Sequence, residues 1–206
     1  MATKLSNFIS DIGQGVKPNM FMVDIAFPGE VSGADGDADM INLLCKSAAL
    51  PASNLGVIEV PFRGRTVKIA GDRTFDTWTA TFVNDKEMKI RAYFEQWLAT
   101  INSHETNNSP LFTPGETEGG YSRILKVKQL EKNASESGEV LRQYDLHYAF
   151  PTNVSQIDLA YDSNDQIEEF TVEFQYSYWN VVTGTTQNGV SGVKSGIGDS
   201  RLVEGW

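Results

Sequence analysis

The chain has 206 residues, 40% of them hydrophobic, which is enough for one domain with its own core. Its formal net charge of −10 argues against a nucleic-acid binder, whose affinity rests on lysine and arginine neutralising phosphates. A single cysteine excludes an internal disulfide framework, and no apolar run approaches the ~18 residues of a membrane span.

The same charge is compatible with a protein that nucleic acid passes without sticking, or simply with solubility. The first residues, MATKLSNFISDIGQG, lack the long apolar stretch of a secretory signal, so the expectation is a chain made in a cytosol and then assembled. Residues 1–17 are polar and mixed, but Leu5, Phe8, Ile9 and Ile12 fall at helical spacing. Met20–Phe27 reads as the first strand, Gly29–Asp39 as a loop and Met40–Leu50 as the second strand, with Pro51 ending it.

A hairpin follows. Ile58, Val60 and Phe62 alternate with Glu59 and Pro61, Arg63-Gly64 makes a tight turn, and Val67 and Ile69 return on the same face. Pro61 has no N–H for a ladder, so this strand belongs at an edge or off the sheet. Ile58, Val60 and Phe62 can pack on the chain's own body, while Val57 lies on the other face with Glu59. Gly71-Asp72 is expected to turn the chain again, with Asp72 and Arg73 either a buried ion pair fixing that turn or contacts to a neighbour. Trp78, Ala80 and Phe82 then alternate with Thr77, Thr79 and Thr81.

Asn84 or Asp85 is a good N-cap, and Ile90, Phe94, Trp97, Leu98 and Ile101 form one face of an α-helix. A polar loop, Asn102–Gly120, leads to a predicted strand pair, Tyr121–Leu130 and Val140–Phe150, joined by the charged stretch Glu131–Glu139 and stopped by Pro151. Ile157, Leu159 and Tyr161 alternate next, and Asp162–Asp165 is a turn cluster. Phe170, Val172, Phe174, Tyr176 and Tyr178 alternate with polar residues in the clearest strand of the sequence. Asn180–Trp206 is rich in Gly, Ser and Thr. The pattern predicts a mainly β chain: two packed antiparallel sheets, or a partly closed β-barrel, with one flanking α-helix.

Catalytic motifs are scarce. His104 and His147 have no metal-ligand spacing to each other or to Cys45. Asp35, Asp37 and Asp39 resemble the start of a calcium loop, but Met40 stands at the required glycine and Lys46 at the bidentate glutamate. Glu169 and Glu173 share a polar strand face at a range a glycosidase could use, and a solvated face explains them equally simply. No catalytic, cofactor or metal residue is assigned, and the chain is expected not to be an enzyme.

Two blocks carry a family resemblance: IAGDRTFDTWTATFVND with LPA upstream, and FPTNVSQIDLAYDSNDQIEEFTVEFQYSYW from Phe150 to Trp179. Together they resemble the tail tube proteins of T-even-like contractile phages, over roughly Pro18 to Trp179. The insert Gly29–Asp39 and the tail Asn180–Trp206 run beyond the compact members. The resemblance implies a tube-like β domain over 1–179, with 1–17 as an N-terminal arm and 180–206 as an extension. It implies hexameric rings stacked into a rigid tube, whose sheets join across subunits around a bore. It implies the tail sheath, tape-measure, baseplate and tube-terminator proteins as partners, genomic DNA in transit only, and no membrane embedding. The place would be the virion tail, assembled in the host cytoplasm.

Bore-lining candidates are Thr77, Thr79, Thr81, Glu169, Thr171 and Glu173; candidates for contact between subunits are Leu55, Val57, Ile58, Asp72, Arg73 and Trp206. Two other readings remain open at the level of sequence. One is a tube of a bacterial contractile injection or type VI-like secretion system. The other is a β-rich carbohydrate-binding domain using Trp78, Trp97 or Trp179, which the apolar placement of Trp78 and Trp97 disfavours.

Overall fold

A computed structural model describes residues 2–13, 15–34, 36–109, 113–116, 119–131, 140–164 and 166–183. In chain order the elements are α1 (Ala2–Ile12), β1 (Phe21–Ile25), α2 (Ala38–Leu43), β2 (Cys45–Ala48), β3 (Asn54–Phe62) and β4 (Arg65–Thr74). They continue with β5 (Trp78–Val83), α3 (Lys89–Ile101), β6 (Arg123–Leu130), β7 (Val140–Val154), β8 (Glu169–Gln175) and β9 (Tyr178–Thr183). The strands form two antiparallel sheets that share β7, plus a separate two-stranded hairpin, β3–β4. The strand order β1-β6-β7-β8-β5-β2 is an open path, with β9 also on β7, and it closes into no barrel among the described residues.

β7 is the hinge of this arrangement. Its first half lies between β6 and β9, and its second half pairs with β8. β8 and β9 hold one register against it, with Phe150 opposite Gln175 and His147 opposite Tyr178. The strand read as continuous through Tyr178 is therefore one strand in direction, interrupted at Tyr176-Ser177, and β9 extends regular structure past Trp179 to Thr183. Opposite the interruption, Tyr148 adopts φ +56°, a left-handed conformation uncommon for a bulky residue. Pro151 does not end β7: the register shifts between Pro151 and Asn153, and a bulge is one place where a residue without an N–H fits.

Alternating residues explain the core. Val23 and Ile25, Leu125 and Val127, Leu146, Trp78 and Phe82, and Phe170, Val172 and Phe174 all point inward from their strands. α3 lays Ile90, Phe94 and Trp97 onto them. Phe94 meets Phe27, Phe82, Phe170 and Phe174 at ring-centroid distances of 5.1–6.2 Å in tilted or edge geometries, which add favourable quadrupole contacts to the area buried. Asp85 caps this helix at a distance. Its carboxylate accepts the Glu87 and Ile90 N–H groups at 3.3 Å, while Met88 (φ +55°) is the residue just outside the first turn.

Three expectations fail for identifiable reasons. Met40–Leu43 belongs to α2, not to a strand, because Ile41 turns into the core from a helical turn and Leu44 donates its N–H back to the Met40 carbonyl. Ile157, Leu159 and Tyr161 form no strand: Ser155 is the last residue tied to β8, through Thr171, and the chain then leaves the ladder. Gly71-Asp72 makes no turn but lies inside β4, opposite a bulge at Gly56. A Cβ at Gly71 would sit 3.2 Å from the Gly56 backbone, so the paired glycines allow the two strands to approach there. The stretch Glu131–Glu139 lies, but for Glu131, outside the described residues.

Candidate functional site

Reactive groups are spoken for by structure. Burial pushes the Cys45 thiol up to about 12, so it stays protonated and weakly nucleophilic at neutral pH. His147 lies against Glu116, Nδ1 to Oε1 3.2 Å, and stacks on Tyr178 with ring centroids 4.7 Å apart. Glu116 also accepts the Tyr148 N–H at 2.6 Å, so this cluster pins the polar loop to the bulge of β7. Burial, then the charge of Glu116, raises the Tyr178 phenol above its ordinary value. Asp37 accepts a hydrogen bond of 2.5 Å from the Tyr93 hydroxyl; Asp35 lies outside the described residues. Among the described residues no group of three or more His, Cys, Asp or Glu is placed to hold a metal ion, and no helix is long and apolar enough to cross a membrane.

Among the described residues the tryptophans are held in structural contacts. Trp78 and Trp97 are buried, and their indole N–H groups donate to the Ala49 carbonyl (2.6 Å) and the Tyr121 carbonyl (2.8 Å). Trp179 donates to Ala52 and packs edge-on against Tyr144.

Two surfaces remain, and both are built by strands. The first is the outer face of the β5–β8 pair. Thr79 stands opposite Glu173 and Thr81 opposite Thr171, their hydroxyls 3.2 Å apart; Glu169 stands opposite Val83. Thr77 joins the row just before β5 by accepting from the Gln175 amide at 2.7 Å. The six predicted polar residues thus share one face, because Trp78, Ala80, Phe82 and the phenylalanines of β8 occupy the other. Sequence reasoning missed Lys46, which meets Glu169 at 2.5 Å across this face from the bulge in β2. A bulge brings two neighbouring residues to one side, a signal that strict alternation does not contain.

The second surface is the β3–β4 arm. Among the described residues it pairs with no other strand. Ile58 faces Ile69, Val60 faces Val67 and Phe62 faces Arg65 across the hairpin, so one face is almost wholly apolar. That face does not pack on its own subunit as expected: Val60 is 42% and Phe62 62% exposed. Leu55 and Val57 are exposed as well. Asp72 and Arg73 are both solvent-exposed on β4, which excludes a buried ion pair. Trp206 lies outside the described residues. α1 adds a smaller apolar stripe, with Leu5, Phe8, Ile9 and Ile12 all exposed.

Comparison with known proteins bears on these surfaces. Residues 16–182 match the sequence profile of the phage tail tube protein family. The chain is 32% identical to the tail tube protein of Enterobacteria phage T4 over 178 residues, covering 84% of this chain and 99% of that one. It is 30% identical to the tail tube protein of Serratia phage KSP90, covering 80% and 88%. Among solved structures, the tube-terminating cap of the anti-feeding prophage superposes with a TM-score of 0.51 at 15% identity, covering 82% of this chain and 91% of that one. The likeness at that identity is one of fold.

Proposed function

The chain belongs to the phage tail tube protein family, and we propose that it builds the inner tube of a contractile tail as hexameric rings stacked on one another. The observation that carries this reading is the β3–β4 arm. Among the described residues neither strand edge of the arm is paired, and its apolar face is exposed. Each such side chain gains up to about 1.5–3 kcal/mol on full burial, and each open edge offers unpaired N–H and C=O groups. A neighbouring subunit satisfies both needs, and Leu55, Val57 and Ile58 lie where the arm would meet it.

The polar face of β5–β8 is the proposed lining of the bore. Duplex DNA carries one negative charge per about 1.7 Å, and a basic lining would grip it. Here Lys46 is neutralised by Glu169, while Glu173, Thr77, Thr79, Thr81 and Thr171 are acidic or neutral. Genomic DNA would therefore slide past without holding. In this reading the sheath surrounds the tube, the tape-measure protein occupies it during assembly, baseplate and terminator close its ends, and assembly takes place in the host cytoplasm. Static light scattering of the purified chain, with baseplates as nuclei, tests the reading: polymer growth is expected, and a monomer inert under all conditions would contradict it.

A further inference from the structure

We propose that the basic tip of the arm, Phe62 to Arg65, seats in an acidic groove flanked by exposed apolar side chains, shaped by the loop between β7 and β8 in a second copy of the chain. The inference rests on the tube reading and names the surface that receives the arm.

The root of the arm and the groove lie at the two ends of β5. Its first residue, Trp78, follows the root of the arm, where the Asn54 amide donates to Asp76 at 2.7 Å. At its far end, Val83 donates its N–H to the Leu44 carbonyl (3.0 Å) and Asn84 to the Glu168 carbonyl (2.9 Å). Five steps of ~3.3 Å separate the end residues of β5 by about 17 Å. At that far end the loop from 155 to 168, which leaves the ladder instead of forming a strand, shapes a groove of about 640 Å³. Leu159 is 80% and Ile167 72% exposed, and Tyr161 is fully exposed; the end of α2 offers Leu43 in the same state.

Charge selects the occupant. The loop presents Asp158, Asp162 and Glu168 and has no lysine or arginine. The arm reverses the sign of the whole chain, with Arg63, Arg65, Lys68 and Arg73 against Glu59 and Asp72. The Arg63 guanidinium lies 5.4 Å from the centre of the Phe62 ring, so the tip is a convex aromatic and cationic knob. The other exposed apolar element, α1, carries one lysine and one aspartate and offers no such complement. A contact between two different surfaces of one molecule is heterologous: it either closes into a ring or runs on as an open stack, and the tube reading selects the stack.

The test is charge reversal on each side. Arg63→Glu with Arg65→Glu, and Asp158→Lys with Asp162→Lys, are each expected to raise the critical concentration for polymer about tenfold or more in sedimentation, equivalent to ~1.4 kcal/mol. An equimolar mixture of the two variants should restore polymer, because every tip then finds a groove of opposite sign. If the lysine pair disturbs folding by circular dichroism, Asp158→Asn with Asp162→Asn replaces it and should lower the salt concentration that dissolves the polymer. If the arm variant fails to assemble while the loop variants behave like the parent, the tube reading stands and this receiving surface is wrong. Two variants that each lose polymer but are not rescued on mixing would also overturn it. A parent chain that never polymerises overturns the tube reading, and this inference with it.

Discussion

β3–β4 and β5–β8 are both antiparallel pairs with apolar residues at every second position, yet they end in opposite environments. In β5–β8, Trp78, Ala80, Phe82, Phe170, Val172 and Phe174 are all buried, under α3 and the other sheet. In β3–β4 the equivalent residues face each other across the hairpin and stay about half exposed. Period two reports a strand with two unlike faces; it does not report what covers the apolar one. In one pair the cover is the chain's own helix. In the other no described residue supplies it, and a neighbouring subunit is the proposed cover.

The largest expected effect comes from removing the arm. Replacing residues 54–74 by a short Gly/Ser link should leave the circular dichroism and melting of the body close to the parent's, since the arm pairs with no other described strand, while polymer disappears from sedimentation. Single substitutions sharpen the contrast. Phe82→Ala opens the core and should destabilise the fold by about 3–5 kcal/mol in urea unfolding. Val60→Asp should leave that midpoint within about 0.5 kcal/mol and instead weaken assembly, at several kcal/mol for an unpaired charge in an apolar contact. Val57→Asp should act the same way but less strongly, because Val57 shares its face with Glu59 and Lys68. Either arm variant unfolding outright would place that side chain in a core of its own and break the comparison.

The polar side of β5–β8 gives a subtler effect. Thr81→Lys with Thr171→Lys adds a positive pair to each subunit on the face proposed to line the bore. Tubes should form normally, and DNA ejection should slow in low salt and recover in high salt. The smallest effect concerns Cys45. Its folded pKa of about 12 lies above the ordinary 9.0, so the folded state keeps its proton where the unfolded state has lost it. Stability from this group is fully present below pH 9 and declines as pH rises toward 12; a Cys45→Ala variant should show a flatter decline over that window in thermal melts.

Much of the body was legible because burial and period agree there: β5, β8 and α3 each have one apolar face and one polar face. What was not legible depends on partners distant in sequence. Ile157, Leu159 and Tyr161 alternate like a strand, but no neighbour extends a ladder to them, and the turn cluster from Asp162 holds them in a loop. Gly71-Asp72 carries turn chemistry, and its meaning comes from Gly56 across the hairpin. Lys46 and Ser47 both face outward at the bulge in β2, which strict alternation does not foresee. The arm itself was expected to hide Ile58, Val60 and Phe62 against its own subunit, and all three instead stand exposed on a hairpin separate from both sheets.

The most direct test is cryo-electron microscopy of the purified full-length chain after polymerisation. The account predicts stacked rings in which density for Asn54–Thr74 leaves its own subunit and lies against the next ring. Tubes whose arms fold back on their own subunit, or a chain that stays a single inert particle, would contradict it.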